Sequence, residues 1–180
     1  MNIARKRPNY STSFDRSGVF LLDEFYSVFR DEVSPYLRTY PSLKIWYAEC
    51  PSREEASRLA ELLGSEGLPR FEIYATHHHR AHVVREQGRM SQWRNWDREK
   101  VFYFHHSLAM DGPFNVFQLI LFNTTVKFPA NKSHPRMVHL FLQSLHHFGF
   151  LGLTPRPVRL TKLLEKDFGI SGAGWFKKLW

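Results

Sequence analysis

The 180-residue sequence predicts an α/β or α+β domain, a small mixed sheet with flanking helices, carried between basic terminal extensions. Two observations predict the domain. Apolar and polar residues alternate over short runs at 43–49, 71–75 and 101–105, as in half-buried strands, while apolar residues three and four apart mark helices around them. Hydrophobic residues make up 43% of the chain and aromatics 16%, enough apolar surface to fill one core. A third observation predicts the extensions. The net charge is +8, and the first seventeen residues carry Arg5, Lys6, Arg7 and Arg16 against a lone Asp15, with no apolar face.

In chain order, residues 19–33 read as a helix with Val19, Phe20, Phe25, Val28, Phe29 and Val33 on one side, and Pro35 ends or kinks it. Leu43, Ile45 and Tyr47 give the next strand a single apolar face. Ser52 to Glu55 forms a capping box, and Ala56, Leu59, Ala60 and Leu63 continue it as an amphipathic helix that stops at Gly64 or Gly67. With the strand at 71–75 this completes a β-α-β unit. Residues 76–100 are poor in aliphatics and rich in Arg, His and Trp, and read as a surface segment. After the strand at 101–105, residues 113–122 suit either a helix or a strand. Val138, Phe141, Leu145 and Phe148 then mark a helix over 135–148, and a short helix follows over 160–168. The expected organisation is a basic arm at 1–17, one α/β domain at 18–168 and an aromatic, basic tail at 169–180. Glycines loosen that tail, and no internal repeat interrupts the plan.

Composition limits the function classes. One cysteine, Cys50, excludes an internal disulfide framework and makes a reducing compartment the simpler expectation. The longest apolar run, 116–122, is far too short to span a bilayer. A pI near 9.8 favours a polyanionic partner. No P-loop, GxGxxG or GxSxG occurs, and no cofactor is expected.

Ten histidines raise the question of a metal. Consecutive histidines on a strand point to opposite faces, no HExxH accompanies them, and Cys50 is the one thiol, so no metal site is expected. The run from Tyr103 to Gly112, YFHHSLAMDG, resembles the His-His-x-x-x-Asp-Gly signature of acyltransferases related to chloramphenicol acetyltransferase. That resemblance implies His106 as general base and Asp111 as the acid that shapes the loop, and it supplies one alternative reading, a CoA-dependent acyltransferase. Four residues separate His106 from Asp111 here where the family has three, so a strand ending in an Asp-Gly turn is the preferred reading.

The cationic residues point to RNA. Arg80, Arg85, Arg89, Arg94 and Arg98 recur every four or five residues with Trp93 and Trp96 among them, a pattern suited to phosphate pairing and base stacking. Arg5, Lys6, Arg7 and Arg16 at one end and Lys177 and Lys178 at the other complete the candidate RNA-binding set. On these features the chain resembles organellar ribosomal proteins. More narrowly, Phe29, Glu32, Tyr36, Leu37, Tyr40, Pro41, Leu43 and Ile45 are similar to a segment of the thioredoxin-like domain shared by some mitochondrial ribosomal proteins and a small complex I accessory subunit. The resemblance implies a noncatalytic structural component of the mitochondrial ribosome in the matrix, binding ribosomal RNA and neighbouring ribosomal proteins. A protein-only accessory subunit of a respiratory complex is the other alternative.

Overall fold

A computed structural model of the chain describes residues 23–88, 99–125, 134–155 and 158–180. Seven strands form one sheet in the order β3-β2-β1-β4-β5-β7-β6. They are β1 Ser42–Ala48, β2 Arg70–His77, β3 Glu99–His105, β4 Phe117–Asn123, β5 Leu145–Thr154, β6 Phe168–Gly172 and β7 Trp175–Lys178. The first five run parallel, and β7 is inserted antiparallel between β5 and β6. The helices are α1 Asp23–Val28, α2 Ser34–Leu37, α3 Arg53–Ser65, α4 Arg80–Gly88, α5 His134–Ser144 and α6 Val158–Leu164. Among the described residues no helix is long and apolar enough to cross a membrane.

Both faces of the central strands are buried, as a parallel sheet requires. Leu43, Ile45 and Tyr47 of β1 pack with Leu59 and Leu63 of α3 and with Phe25 and Phe29. The alternate residues Trp46 and Ala48 pack with Met137, Leu140 and Phe141 of α5 and with Leu160 and Leu164 of α6. The predicted β-α-β unit is present: Ser52 caps α3 by accepting the Glu55 amide at 3.2 Å. Glu55 itself pairs with Arg58 at 3.1 Å.

Three elements differ from the sequence reading. Of the two expectations for Pro35, an end or a kink, the end is not found: the chain continues from α1 through a π turn, Phe29–Val33, into α2, so the helix changes type just before the proline. Proline removes one amide from the helical ladder, and the wider turn just before it accommodates that loss. The helix expected over 135–148 stops at Ser144, where β5 begins, and Phe148 takes a positive φ of 60°. The tail does not stand off the domain. Residues 168–178 form the β6–β7 hairpin, whose Trp175 stacks on Phe25 with centroids 4.4 Å apart and donates its indole N–H to the Phe25 carbonyl at 2.8 Å. Gly172 and Gly174, with φ of 110° and 92°, make that hairpin turn.

Candidate functional site at the strand ends

The carboxyl ends of β1 to β5 lie along one edge of the sheet, and the direction of strand addition reverses between β1 and β4. In open α/β sheets ligands bind in the crevice at such a reversal, outside the carboxyl ends of the strands. Four hydrogen bonds shape this edge. The Cys50 amide donates to the Thr76 carbonyl at 2.9 Å, the His106 amide to His77 at 3.2 Å and the Thr124 amide to Thr154 at 3.1 Å. The Tyr103 hydroxyl donates to the Cys50 carbonyl at 2.8 Å.

Glu49 sits at the tip of β1 with φ of 55°, a left-handed conformation that usually belongs to glycine. Its side chain is fully buried. Oε2 lies 2.6 Å from Nδ1 of His78 and 4.0 Å from Nε2 of His77, and Oε1 is buried with no hydrogen-bond partner. Burial pushes the carboxyl above its ordinary range, and the His78 imidazole opposes that rise. His77 Nδ1 accepts the His79 amide at 3.0 Å, so the neutral ring carries its proton on Nε2, facing Glu49. Glu49, His77 and His78 bring three ligand-type atoms within 4.8 Å of one another. With the His77 lone pair turned toward the His79 amide, they do not form a ready three-ligand metal set.

The N-terminus of α3 faces the same edge, and the chain's own groups occupy it. The Arg53 amide donates to Glu86 Oε2 at 3.1 Å, and the Glu55 amide donates to Ser52. The Cys50 thiol is buried, donates to the Ser52 carbonyl at 3.0 Å, and is held well above its ordinary pKa by burial. It is a packed thiol.

Burial lowers the His77 pKa from 6.5 to about 4, with the nearby imidazoles His82, His78, His79 and His105 acting in the same direction. Between these values the unfolded chain binds a proton that the folded chain does not. The contribution of His77 is therefore fully present above pH 6.5 and is lost as pH falls toward 4, by an amount on the order of 3 kcal/mol. His82 and His106, also lowered by burial, act in the same sense. The raised carboxyl of Glu49 acts in the opposite sense, since it protonates more readily in the folded chain. Thermal unfolding between pH 7 and 4.5 is expected to show a falling Tm, and a shallower fall in His77→Asn. Equal slopes for the two proteins would refute the assignment.

Of the RNA-binding set predicted from the sequence, the described residues include Arg80, Arg85, Lys177 and Lys178. Arg80 and Arg85 lie on α4, where Arg85 donates to His82 Nδ1 at 2.9 Å. Lys177 stands 4.3 Å over the Tyr36 ring. Lys178 is buried, and its ammonium donates to the carbonyls of Leu142 and Leu145 at 2.9 Å each, closing the end of α5. Arg5, Lys6, Arg7, Arg16, Arg89, Trp93, Arg94, Trp96 and Arg98 fall outside the described residues. In the histidine-aspartate stretch, His106 is buried against Trp46 and Phe114 and lies 3.0 Å from the Gly112 carbonyl, to which Nε2 donates. Asp111 accepts the Ser107 amide at 2.8 Å. These residues build a turn, so His106 is not presented to a substrate as an acyltransferase base.

Sequence reasoning missed Glu49 altogether. The available signal was a charged residue between a buried strand and a capped helix, at the position where doubly wound sheets commonly place glycine.

No family model matches the chain. It is 33% identical over 164 residues to a Pseudomonas putida protein named "Putative methyltransferase Cher3", an alignment that takes in 73% of this chain and 60% of that protein. The chain thus spans 60% of the length of this relative. Among solved structures, it superposes on the N-methyltransferase NodS of Bradyrhizobium japonicum in complex with S-adenosylhomocysteine, with a TM-score of 0.57 at 10% identity, covering 88% of this chain and 90% of that one. It also superposes on TrmN of Thermus thermophilus, with a TM-score of 0.58 at 16% identity, covering 86% and 48%.

These matches correct several expectations. The resemblance to mitochondrial ribosomal proteins is overturned, and with it the noncatalytic structural role and the ribosomal RNA and protein partners. The reading as a non-enzyme falls with them, because the relative is named as a methyltransferase. Neither alternative, the acyltransferase or the respiratory accessory subunit, finds support. The thioredoxin-like expectation fails on topology, since five parallel strands with helices on both faces carry the antiparallel hairpin at one edge. The chain has the Rossmann-like fold seen in S-adenosylmethionine (SAM)-dependent methyltransferases.

Proposed function

We propose that the chain is a methyltransferase domain of the SAM-dependent kind, with its ligand end at the carboxyl ends of β1, β2 and β4. The observation that carries this reading is the similarity to the P. putida relative, which runs through 73% of the chain. The fold supports it, because its strand order puts the reversal, and hence the crevice, between β1 and β4.

The residues at that end do not fit SAM as they stand. The first βα turn, Glu49-Cys50-Pro51-Ser52-Arg53, has no glycine on which a ligand could lie against the backbone, and the Glu49 side chain is folded into the turn. The α3 amide of Arg53 is already bonded to Glu86. The end of β2 carries His77 where dinucleotide-binding folds of this topology place an acid for ribose hydroxyls. No methyl-transfer step follows from this arrangement. The described side chains hold the edge in shape: Asn123 Oδ1, at the end of β4, accepts both the amide and the hydroxyl of Thr125 at 3.0 and 2.7 Å.

Equilibrium binding of labelled SAM at up to millimolar concentration tests the proposal. Saturable binding displaced by S-adenosylhomocysteine is the expected result for the chain or for a variant opened at Glu49. Absence of binding in every such protein, each shown to be folded, would sink it.

A further inference from the structure

We propose that the Glu49 side chain excludes SAM from the end of β1, so that cofactor affinity in this chain is set chiefly by one carboxylate standing in the cofactor's place. The inference rests on the methyltransferase reading of the strand-end edge and deepens it.

Three observations meet at Glu49. The backbone there keeps the left-handed turn, φ 55°, that glycine adopts without penalty, so the turn retains its shape although the residue has changed. A Cβ and a carboxyl therefore fill the turn where glycine would leave room for a ligand. The side chain turns inward over the end of β2 instead of out into water. It is fully buried, with Oε2 held by His78 at 2.6 Å and His77 standing behind at 4.0 Å. One oxygen, Oε1, is buried without a hydrogen-bond partner. A buried polar atom left in this way is costly, so the fold tolerates the carboxylate here without fully satisfying it. The neighbouring helix end is closed in the same manner, with Glu86 on the Arg53 amide where a ligand's acidic group would be received.

Glycine suits φ 55° better than glutamate does, so Glu49→Gly removes the obstruction without asking the backbone to move. Glu49→Gln keeps the volume and the reach to His78 while removing the charge. Calorimetric titration of the full chain with SAM and with S-adenosylhomocysteine, with a thermal melt of each protein, separates the possibilities. Glu49→Gly is expected to bind at least tenfold more tightly than the wild type, and Glu49→Gln to bind like the wild type. Should Glu49→Gly melt without a cooperative transition, Glu49→Ala shortens the same side chain and is expected to show the same gain. Equal affinity in wild type and shortened variants would overturn the exclusion and leave the methyltransferase reading standing. No binding by any folded variant would overturn both.

Discussion

Trp46→Ala is expected to destabilise the protein by about 3–5 kcal/mol, because it removes a large buried aromatic from the middle of a sheet whose surroundings cannot collapse to fill the gap. Trp46 is fully buried on β1, with β2 on one side and β4 on the other. Its ring meets His106, Phe114, Phe117 and Phe141 at centroid distances of 5.2, 5.1, 5.5 and 5.6 Å. These rings come from the loop after β3, from β4 and from α5, so one side chain joins several elements. The indole N–H also donates to Thr76 Oγ1 at 2.8 Å, leaving that hydroxyl without its donor in the variant. Urea unfolding followed by circular dichroism checks the value. A loss below about 1 kcal/mol, in the range of ordinary surface changes, would mean that the central packing is not as described.

Gly174→Ala is expected to cost about 2–4 kcal/mol, from strain and a lost hydrogen bond together. At φ 92° an added Cβ would stand 2.4 Å from the Leu153 carbonyl oxygen, a backbone atom that cannot rotate away. The Leu153 amide donates to the Gly174 carbonyl at 2.9 Å, so any shift that relieves the clash pulls on the bond joining the hairpin to β5. Gly67→Ala is the control. Its φ of 68° is also left-handed, yet an added Cβ meets nothing within 4 Å, and the expected cost is about 1 kcal/mol. Similar costs at both positions would show that conformation alone, and not the contact with Leu153, decides the effect.

Local regularities in the sequence carried the first β-α-β unit. The alternation of Leu43, Ile45 and Tyr47 and the Ser52 cap each act within a few residues, and β1 and α3 lie where these features place them. The same kind of reading failed where two periods coincide. Val138, Phe141, Leu145 and Phe148 satisfy a helical spacing, but Leu145 is a buried strand residue and Phe148 is half exposed. Gly172 and Gly174 loosen a chain when considered alone, whereas here they turn a hairpin whose Trp175 and Phe176 are core residues. The candidate site was hidden for a different reason. Glu49 meets His77, and Glu86 meets the Arg53 amide, only after β1, β2 and α4 are in place, and the glycine motif that would have announced a cofactor edge is absent from the turn.

The placement of β1 also has a kinetic consequence. Its neighbours in the sheet are β2, which follows closely along the chain, and β4, which begins at residue 117 although β1 ends at residue 48. A growing polypeptide can assemble β1, α3, β2 and β3 while one side of β1 still has no strand beside it. That open edge offers the unpaired amides and carbonyls of a buried, apolar strand to any other chain nearby. It stays open until β4, with the run FQLILF at its start, is synthesised and docks. Closure of this long-range pairing is expected to limit the folding rate, and refolding yield from urea is expected to fall as protein concentration rises, since intermolecular strand pairing competes for the same edge.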